Sequence, residues 1–333
     1  MVKIIIKKLI KSNFKTDKLV SCSLFRQLTV DKDPIKYYNW LRVFVENINR
    51  YYEDFKIRVY TDLSLTYNED ESIYEEGVKL LKELKRNSKV EVFMYRCNDF
   101  ALNKYYHQGT FGSLVRLLPM FNKNKYKLVW ISDLDLSITE IKNFKKNIDI
   151  FEKNKYEQMI ISQNCYPKYW IPEKNKFKII NYQILSKIKY PKELLFDFLE
   201  DIENNKYNKI IKKIAEKRRT KNKKTLMPYG IDEYFTNVIL YDYIIQNKIK
   251  VMIQNNIMIK NLINRLYYSK VIKNQDSSKE NMIKISKMVL KNKNKLIKKY
   301  PKIDKRFFTT CPQQFLDNLD KVDNNYIYIT HFN

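Results

Sequence analysis

The sequence predicts an α/β protein built on a mostly parallel β-sheet that is flanked by helices. Two observations support this class. Short apolar runs alternate with amphipathic stretches in the first half of the chain, as expected of parallel strands joined by helices. One run, 128–131, ends in two carboxylates, Asp133 and Asp135, at the strand end where open α/β sheets place their binding sites.

Apolar spacing defines the elements of the first half. The predicted strands are 18–25, 55–60, 90–95, 128–131 and 158–162. The predicted helices are 34–52, 73–84 and 110–121. The first helix has a clear start signal, because Asp33 is a favoured N-cap residue and Pro34 suits the first helical position. The loops after the strands are therefore expected to hold the site.

The second half is predicted to be largely helical. Residues 192–224 form a long charged stretch that ends in a basic run, which we expect to be exposed. An apolar helix is predicted over 230–245, and residues 254–300 carry little signal. The chain closes with an alternating strand over 326–333 that contains His331.

Composition limits the possible function classes. The chain has 333 residues, 44% of them hydrophobic, which suffices for a sizeable core. With only 4 glycines it contains neither a Walker A nor a G-x-G-x-x-G sequence, so a glycine-rich phosphate loop is excluded. The net charge of +27 fits an anionic partner, but over-used Lys, Asn, Ile and Tyr indicate an AT-rich coding bias as its main source.

Targeting signals are not predicted. The four cysteines are widely spaced, without Cys-x-x-Cys or zinc spacing, which favours reduced thiols in a cytoplasmic protein. Three lysines, Lys3, Lys7 and Lys8, interrupt the apolar run at the N-terminus, so we predict neither a signal peptide nor a membrane anchor there.

The carboxylate pair predicts a metal site. Residues two apart on a strand point the same way, so Asp133 and Asp135 are expected to face one point. Two carboxylates at one point repel each other unless a cation lies between them, and Mn²⁺ or Mg²⁺ is the expected cation. If the C-terminal strand runs beside the pair, His331 supplies a third ligand, which manganese tolerates.

Other charged residues allow both a structural and a functional interpretation. Arg116 on an apolar helix either extends to solvent from the helix edge or binds a carboxylate or a diphosphate. Asp62 either stabilises a turn or binds a nucleobase. Asp232 and Glu233 either stabilise a helix N-terminus or meet a sugar hydroxyl, one of them acting as a general base.

These motifs resemble those of the GT-A glycosyltransferases, the nucleotide-sugar-dependent enzymes with an Asp-x-Asp motif. The resemblance covers four segments in that family's order, namely 18–25 (KLVSCSLF), 55–62 (FKIRVYTD), 111–135 (FGSLVRLLPMFNKNKYKLVWISDLD) and 326–332 (YIYITHF). The last segment is similar to the closing strand of the glycogenin-like branch. The lysine that follows the histidine in that branch is missing here, so either another cation replaces it or the branch assignment is wrong.

The resemblance implies transfer of a sugar from a nucleotide diphosphate sugar, first of all a UDP-sugar, to an unknown glycan, protein or small-molecule acceptor. It implies donor binding by Ser23, Leu24, Phe25, Asp62, Arg116, Ser132, Asp133, Leu134 and Asp135, metal binding by Asp133, Asp135 and His331, and catalysis by Asp232 and Glu233. Residues 1–165 would bind the nucleotide sugar and 166–333 the acceptor. The coding bias also resembles that of a large DNA virus, which would place the protein in host cytoplasm or a virion.

Two other functions stay open. Asp133-Leu-Asp135 also has the spacing of haloacid-dehalogenase-type phosphatases, in which the first Asp is the nucleophile. That motif usually opens its domain, whereas here several predicted βα units precede it. A basic nucleic-acid-binding protein would require exposed aromatic residues interleaved with the charge, and the basic segments are mostly Lys and Asn.

Overall fold

The computed structural model describes residues 2–26, 33–67, 70–121, 126–162, 172, 175, 178–217, 225–256, 263, 266–268, 270–273, 278–301, 305–317, 319 and 327–332. The chain forms two compact units. The first comprises Met1–Met159 and Asn181–Lys250, and the second comprises Ile160–Ile180 and Val251–Asn333. The segment around Asp232 therefore belongs to the same unit as the predicted carboxylate pair.

A mixed sheet with a parallel centre forms the first unit. Its strands, some of which extend into the second unit, are β1 (Ile4–Ile10), β2 (Lys18–Leu24), β3 (Phe55–Thr61), β4 (Val90–Cys97), β5 (Leu128–Ser132), β6 (Gln158–Ser162) and β7 (Ile179–Ser186). They follow the order β1-β4-β3-β2-β5-β7-β6. The four central strands β4, β3, β2 and β5 are parallel, whereas β1 runs antiparallel to β4 and β7 runs antiparallel to β5. The carboxyl ends of β2, β3 and β5 therefore meet at one edge of the sheet.

Eight described helices belong to this unit. They are α1 (Pro34–Tyr51), α2 (Glu71–Lys85), α3 (Phe111–Val115), α4 (Ile138–Lys153), α5 (Glu193–Glu203), α6 (Asn208–Lys217), α7 (Ile231–Phe235) and α8 (Tyr241–Gln246). The predicted start of α1 is confirmed, since the Asp33 carboxylate accepts the N–H of Ile35 at 2.9 Å. A capping box between Ser137 and Glu140 starts α4, so the chain turns into a helix soon after β5 ends.

The core of this unit surrounds Trp130 in β5, which is fully buried. Its ring lies 4.9 Å from Phe144 of α4, 5.9 Å from Phe55 of β3 and 6.4 Å from Phe44 of α1, measured between centroids. Aromatic contacts at these distances add to the free energy gained by burial. Helices α1 and α4 are thereby fixed on one face of the sheet, and the strand that leads to the carboxylate pair is anchored.

The helix predicted over 110–121 is interrupted. Helix α3 ends at Val115, and a 3₁₀ turn follows at Leu118–Met120. Pro119 lies inside this turn, and a proline removes the backbone donor that a continuing α-helix would need. Arg116 is therefore placed at the C-cap of a short helix rather than inside a long one.

Two longer predicted helices are also divided. The stretch 192–224 contains α5 and α6, and the turn between them holds Asn205 at a φ of 61°. Most of the basic run at its end lies outside the described residues. The stretch 230–245 contains α7 and α8 joined by a π-helical segment, Thr236–Leu240. Single π turns within helices are frequent at functional sites.

No element is predicted for residues 4–10, yet they form the edge strand β1, paired antiparallel with β4. The lysines that obscure its pattern point to solvent, and Ile5 is 49% exposed. Charged residues are common on edge strands because they discourage further pairing.

The second unit contains an antiparallel strand pair and helices. Strands β8 (Val251–Asn256) and β9 (Ile327–Phe332) pair, and α9 (Lys279–Lys291), α10 (Lys293–Lys299) and α11 (Thr310–Leu316) follow β8 in sequence before β9. The helices enclose a small apolar cluster, formed by Ile263, Leu266, Met282, Ile285, Val289, Leu296, Phe308 and Phe315. Apolar spacing within α9 thus defines a helix in a stretch where lysines and asparagines dominate the sequence.

The predicted α/β class, with a parallel sheet centre flanked by helices, is confirmed. Strands β7 and β8 are additions to the prediction. The division into donor and acceptor parts at residue 165 stays a prediction of roles, while the compact units group residues 181–250 with the N-terminal part. Among the described residues, no helix is both long and apolar enough to cross a bilayer.

Candidate active site

The predicted carboxylate pair follows β5 directly. All five residues of β5, including Ser132, are buried, and the N–H of Asp133 donates to the carbonyl of Tyr182 at 2.9 Å. This bond continues the pairing with β7 beyond the last strand residue. Leu134 is buried, while the side chain of Asp133 is 33% exposed and Asp135 is exposed. The alternation predicted for a strand therefore persists through the pair.

Arg116 lies at the centre of the site, with its side chain only 6% exposed. One terminal nitrogen, Nη1, donates to the carboxylate of Asp133 and to the Ser132 carbonyl at 3.3 Å. The other, Nη2, donates to the Asn181 carbonyl at 2.9 Å and to Asp232 Oδ2 at 3.2 Å. Arg116 thus pairs with carboxylates, as one of its two interpretations predicts. It does not extend to solvent, as the other predicts.

This guanidinium connects segments that are far apart in the sequence. It joins the end of β5, the start of β7 and the first turn of α7. One cation facing two carboxylates leaves a net charge of −1, to which the exposed Asp135 adds. A further cation or a hydrogen-bonded ligand is therefore favoured at this edge of the sheet.

The two acids of α7 differ in their surroundings. Asp232 is 7% exposed and paired with Arg116, so its role exceeds stabilisation of the helix N-terminus. Glu233 is half-buried, and its carbonyl accepts hydrogen bonds from Thr236 and Asn237 within the turn.

Two buried donors border this network. Thr236 donates to Asn181 Oδ1 at 2.9 Å, which fixes the amide, and Asn181 Nδ2 has no partner among the described residues. Arg116 Nε is likewise buried and has none there. Buried polar groups are nearly always hydrogen-bonded, so these two donors are unusual, and both are shielded from solvent.

Asp62, at the end of β3, is buried and fully engaged. Its Oδ1 accepts the N–H of Ser64 at 3.1 Å and the Ser64 hydroxyl, and its Oδ2 lies 3.3 Å from His107 Nδ1. His107 Nε2 accepts the N–H of Cys97 at 3.0 Å. The proton must then be on Nδ1, so a neutral His107 donates to Asp62. These contacts fix the Asp62 side chain, and its nucleobase-binding role stays a prediction.

A cavity opens beside the ends of β2 and β3. It is small and partly open, with about 20 Å³ accessible to the centre of a water-sized molecule. Leu24 and Phe25, two of the predicted donor-binding residues, line it, while Ser23 before them is half-buried. The other lining residues that matter below are Arg26, Tyr37, Tyr38 and Ser64.

The charge of Asp135 reaches this cavity. Burial, with a smaller contribution from the negative charge of Asp135, raises the pKa of Tyr37 to about 12. Burial likewise raises the pKa of Tyr38 to about 12, with the positive charge of Arg26 opposing the change. Both tyrosines are thus neutral hydrogen-bonding groups at ordinary pH, between the second carboxylate of the pair and a cation.

His331 belongs to β9, whose predicted existence is confirmed. Its backbone lies opposite Met252 of β8, whereas the neighbours of β5 are β2 and β7. The position of its side chain lies outside what the structure describes, so its role as a metal ligand stays a prediction.

The chain matches no protein-family model and no curated protein. A solved structure with partial similarity is CMP:2-keto-3-deoxy-manno-octonic acid synthetase in complex with CTP. The similarity has a TM-score of 0.28 and 10% sequence identity, and it covers 55% of this chain and 78% of that one. At this TM-score the likeness carries no weight for either fold or function.

Proposed function

We propose that this protein is a metal-dependent glycosyltransferase that uses a nucleotide diphosphate sugar, first of all a UDP-sugar, as donor. The observation that carries the proposal is that the carboxylate pair follows β5 and the cavity lies beside the end of β2, its parallel neighbour in the sheet. Both features lie at the carboxyl ends of β2, β3 and β5, where α/β sheets bind nucleotides. The acceptor is a glycan, a protein or a small molecule.

The described residues contain no group of three His, Cys, Asp or Glu side chains that could hold a metal. Mg²⁺ sites commonly use only one or two carboxylates and take their other ligands from water and substrate phosphates. Asp133 and Asp135 fit that type of site, with Asp135 the more accessible ligand. A bound cation would supply neutralisation of the departing diphosphate.

The protein's own residues then have distinct tasks. Arg116 holds Asp133 and Asp232 in fixed positions, which reduces the reorganisation that catalysis requires. Glu233 is the proposed general base or sugar-hydroxyl contact. Phe25, Tyr37 and Tyr38 line the cavity and are the proposed contacts of the nucleoside.

The phosphatase alternative assigns Asp133 as a nucleophile. Its pairing with the buried Arg116 argues against this role, because a carboxylate held by a guanidinium is a weaker nucleophile. The nucleic-acid alternative gains no specific contact from the described residues of this site.

Calorimetry with a panel of UDP, GDP, ADP, CDP and dTDP, each with and without Mn²⁺, tests the proposal. We expect manganese-dependent binding of at least one of them, lost in Asp135→Asn and retained in Asp149→Asn, a control that neutralises an exposed acid elsewhere. Release of nucleoside diphosphate from the matching nucleotide sugar is the activity readout. Turnover of an aryl phosphate that depends on Asp133, with no nucleotide binding, would instead establish the phosphatase.

A further inference from the structure

Arg26 borders the cavity and is held at two points. Its backbone N–H donates to Ser64 Oγ at 3.1 Å, and its Nη1 donates to the hydroxyl of Tyr106 at 3.0 Å. The guanidinium also stacks over the Tyr106 ring at 5.4 Å. An arginine side chain has about 2 kcal/mol of rotamer entropy to lose, so such contacts fix it in advance of binding.

Both holding points are themselves anchored. Ser64 donates its hydroxyl to Asp62, which also accepts from His107. Tyr106 is buried, and its N–H donates to Asn103 Oδ1 at 3.0 Å. Because His107 directly follows Tyr106, the buried Asp62–His107 pair fixes the loop that presents the Tyr106 hydroxyl. These contacts connect Ser64, Asp62, His107 and Tyr106, and Arg26 is bound to this group at both of its ends, Ser64 and Tyr106.

The charge of Arg26 is not compensated by these contacts. Among the described residues its guanidinium bonds only to the Tyr106 hydroxyl, its backbone N–H bonds to the Ser64 hydroxyl, and no described carboxylate lies within ion-pair distance of it. The pKa of Asp70 is lowered chiefly by hydrogen bonds from Ser72 and Ile73, and the charge of Arg26 is the smallest contribution. A half-buried cation without a counter-ion is unfavourable unless an anion joins it.

We infer that Arg26 binds a phosphate group of the nucleoside diphosphate portion of the donor, at the mouth of the cavity between β2 and β3. This inference rests on the proposed function and supplies it with a phosphate-binding cation. A guanidinium has five N–H donors, and the bond to Tyr106 uses only one of them. The remaining donors suit the bidentate recognition of phosphate oxygens. Tyr106 acts as the positioning residue.

The test compares ligands that differ only in phosphate. Affinities for uridine, UDP and inorganic pyrophosphate, or for the nucleoside and diphosphate of the tightest base in the panel, are measured by calorimetry with Mn²⁺ present. We expect Arg26→Gln to weaken UDP at least about tenfold and to leave uridine unchanged, since charge-assisted bonds are the strong ones. Arg86→Ala, which removes an exposed arginine outside the cavity, is expected to change neither.

Two further measurements make the assignment specific. Tyr106→Phe keeps the ring and frees the guanidinium, so it should weaken UDP less than Arg26→Gln does and again spare uridine. In the wild-type protein, UDP should protect Arg26 from modification by phenylglyoxal, read from the mass of its peptide, and this requires no variant to fold.

The outcomes separate the two proposals. If Arg26→Gln binds UDP as tightly as the wild type, or UDP gives no protection, the inference is wrong and the proposed function is unaffected. If the wild type binds no nucleoside diphosphate of the panel, the proposed function fails and the role of Arg26 fails with it. If Arg26→Gln weakens uridine as much as UDP, Arg26 shapes the cavity and does not bind phosphate.

Discussion

The first unit contains the same charge motif at both ends of β2, namely one cation between two carboxylates. At the carboxyl end Arg116 bridges Asp133 and Asp232. At the amino end Lys18 bridges Asp54 and Glu152, each at 2.7 Å. The two clusters have the same net charge and similar contacts, so they isolate the effect of their surroundings.

The surroundings differ in solvent access. The Arg116 side chain is 6% exposed and that of Asp232 10%, whereas Lys18 is 22% and Asp54 58% exposed. Water screens the second cluster, which borders an open cavity of about 310 Å³. In the first, removal of the cation would leave the nearly buried charge of Asp232, 10% exposed, without its partner, whereas Asp133 is 33% exposed. The contact distances alone therefore do not show which cluster contributes more to stability, whereas the difference in burial does.

Arg116→Met is the change for which we expect the largest effect. Removing one partner of a buried ion pair typically destabilises a protein by about 3–5 kcal/mol, because the remaining charges stay unpaired. Urea unfolding of the full chain would measure the difference. In the same background Asp232→Asn should restore part of the loss, because it removes one of the two stranded carboxylates. A loss below about 1 kcal/mol would mean that this cluster behaves like the exposed one.

Replacing each acid of the carboxylate pair sharpens the comparison within one loop. Asp133→Asn removes the charge that faces Arg116 and should destabilise the protein by about 1–3 kcal/mol, the range for hydrogen bonds to charged groups. Asp135→Asn should leave the urea midpoint unchanged, because Asp135 is exposed, and should abolish only manganese-dependent donor binding. Equal effects of the two variants on stability would contradict the different environments assigned to them.

Thr236→Val tests the neutral part of the same network. The hydroxyl is fully buried and is the described partner of Asn181 Oδ1. Valine keeps the shape and strands the amide oxygen, so we expect a loss of about 1–3 kcal/mol. Thr66→Val is the control, because the Thr66 hydroxyl makes a weaker 3.4 Å bond and is not buried. Similar midpoints for Thr236→Val and the wild type would show that Asn181 finds another partner.

The local parts of this site could be predicted from the sequence. Asp33 and Pro34 mark the start of α1, and the apolar run of β5 leads to Asp133 and Asp135, because these signals lie within a few residues of one another. Arg116 could be chosen as a candidate because an arginine is unusual on an apolar helix. Its partners could not be predicted, since Asn181 and Asp232 are distant in the chain.

Buried polar residues set the limit of such predictions. Strand 55–60 alternates, which indicates one face in water, yet Lys56 is 3% exposed and Arg58 pairs with Glu91 at 2.6 Å. Glu91, the partner of Arg58, lies on β4 and so outside this segment. The alternation within 55–60 alone therefore predicts solvent exposure for a face that is largely buried. Arg26 is missed for a simpler reason, because the predicted donor-binding segment ends one residue earlier, at Phe25.

Lys18→Met should have the smallest effect. Exposed ion pairs contribute about 0.2–1 kcal/mol, so the expected loss at pH 7 is within that range. Burial by itself would lower the pKa of Lys18, but hydrogen bonds to Asp54 and Glu152 outweigh it and raise the pKa above its usual value. A raised pKa in the folded state means that the contribution is complete below about pH 10.4, the ordinary value for lysine, and disappears as pH rises through the folded value. The difference in unfolding free energy between wild type and variant should therefore be constant from pH 7 to 9, fall as the pH rises through the raised pKa of Lys18, and shrink in 1 M salt. A difference of several kcal/mol that resists salt would show that Lys18 is shielded as Arg116 is, and the contrast between the two ends of β2 would be lost.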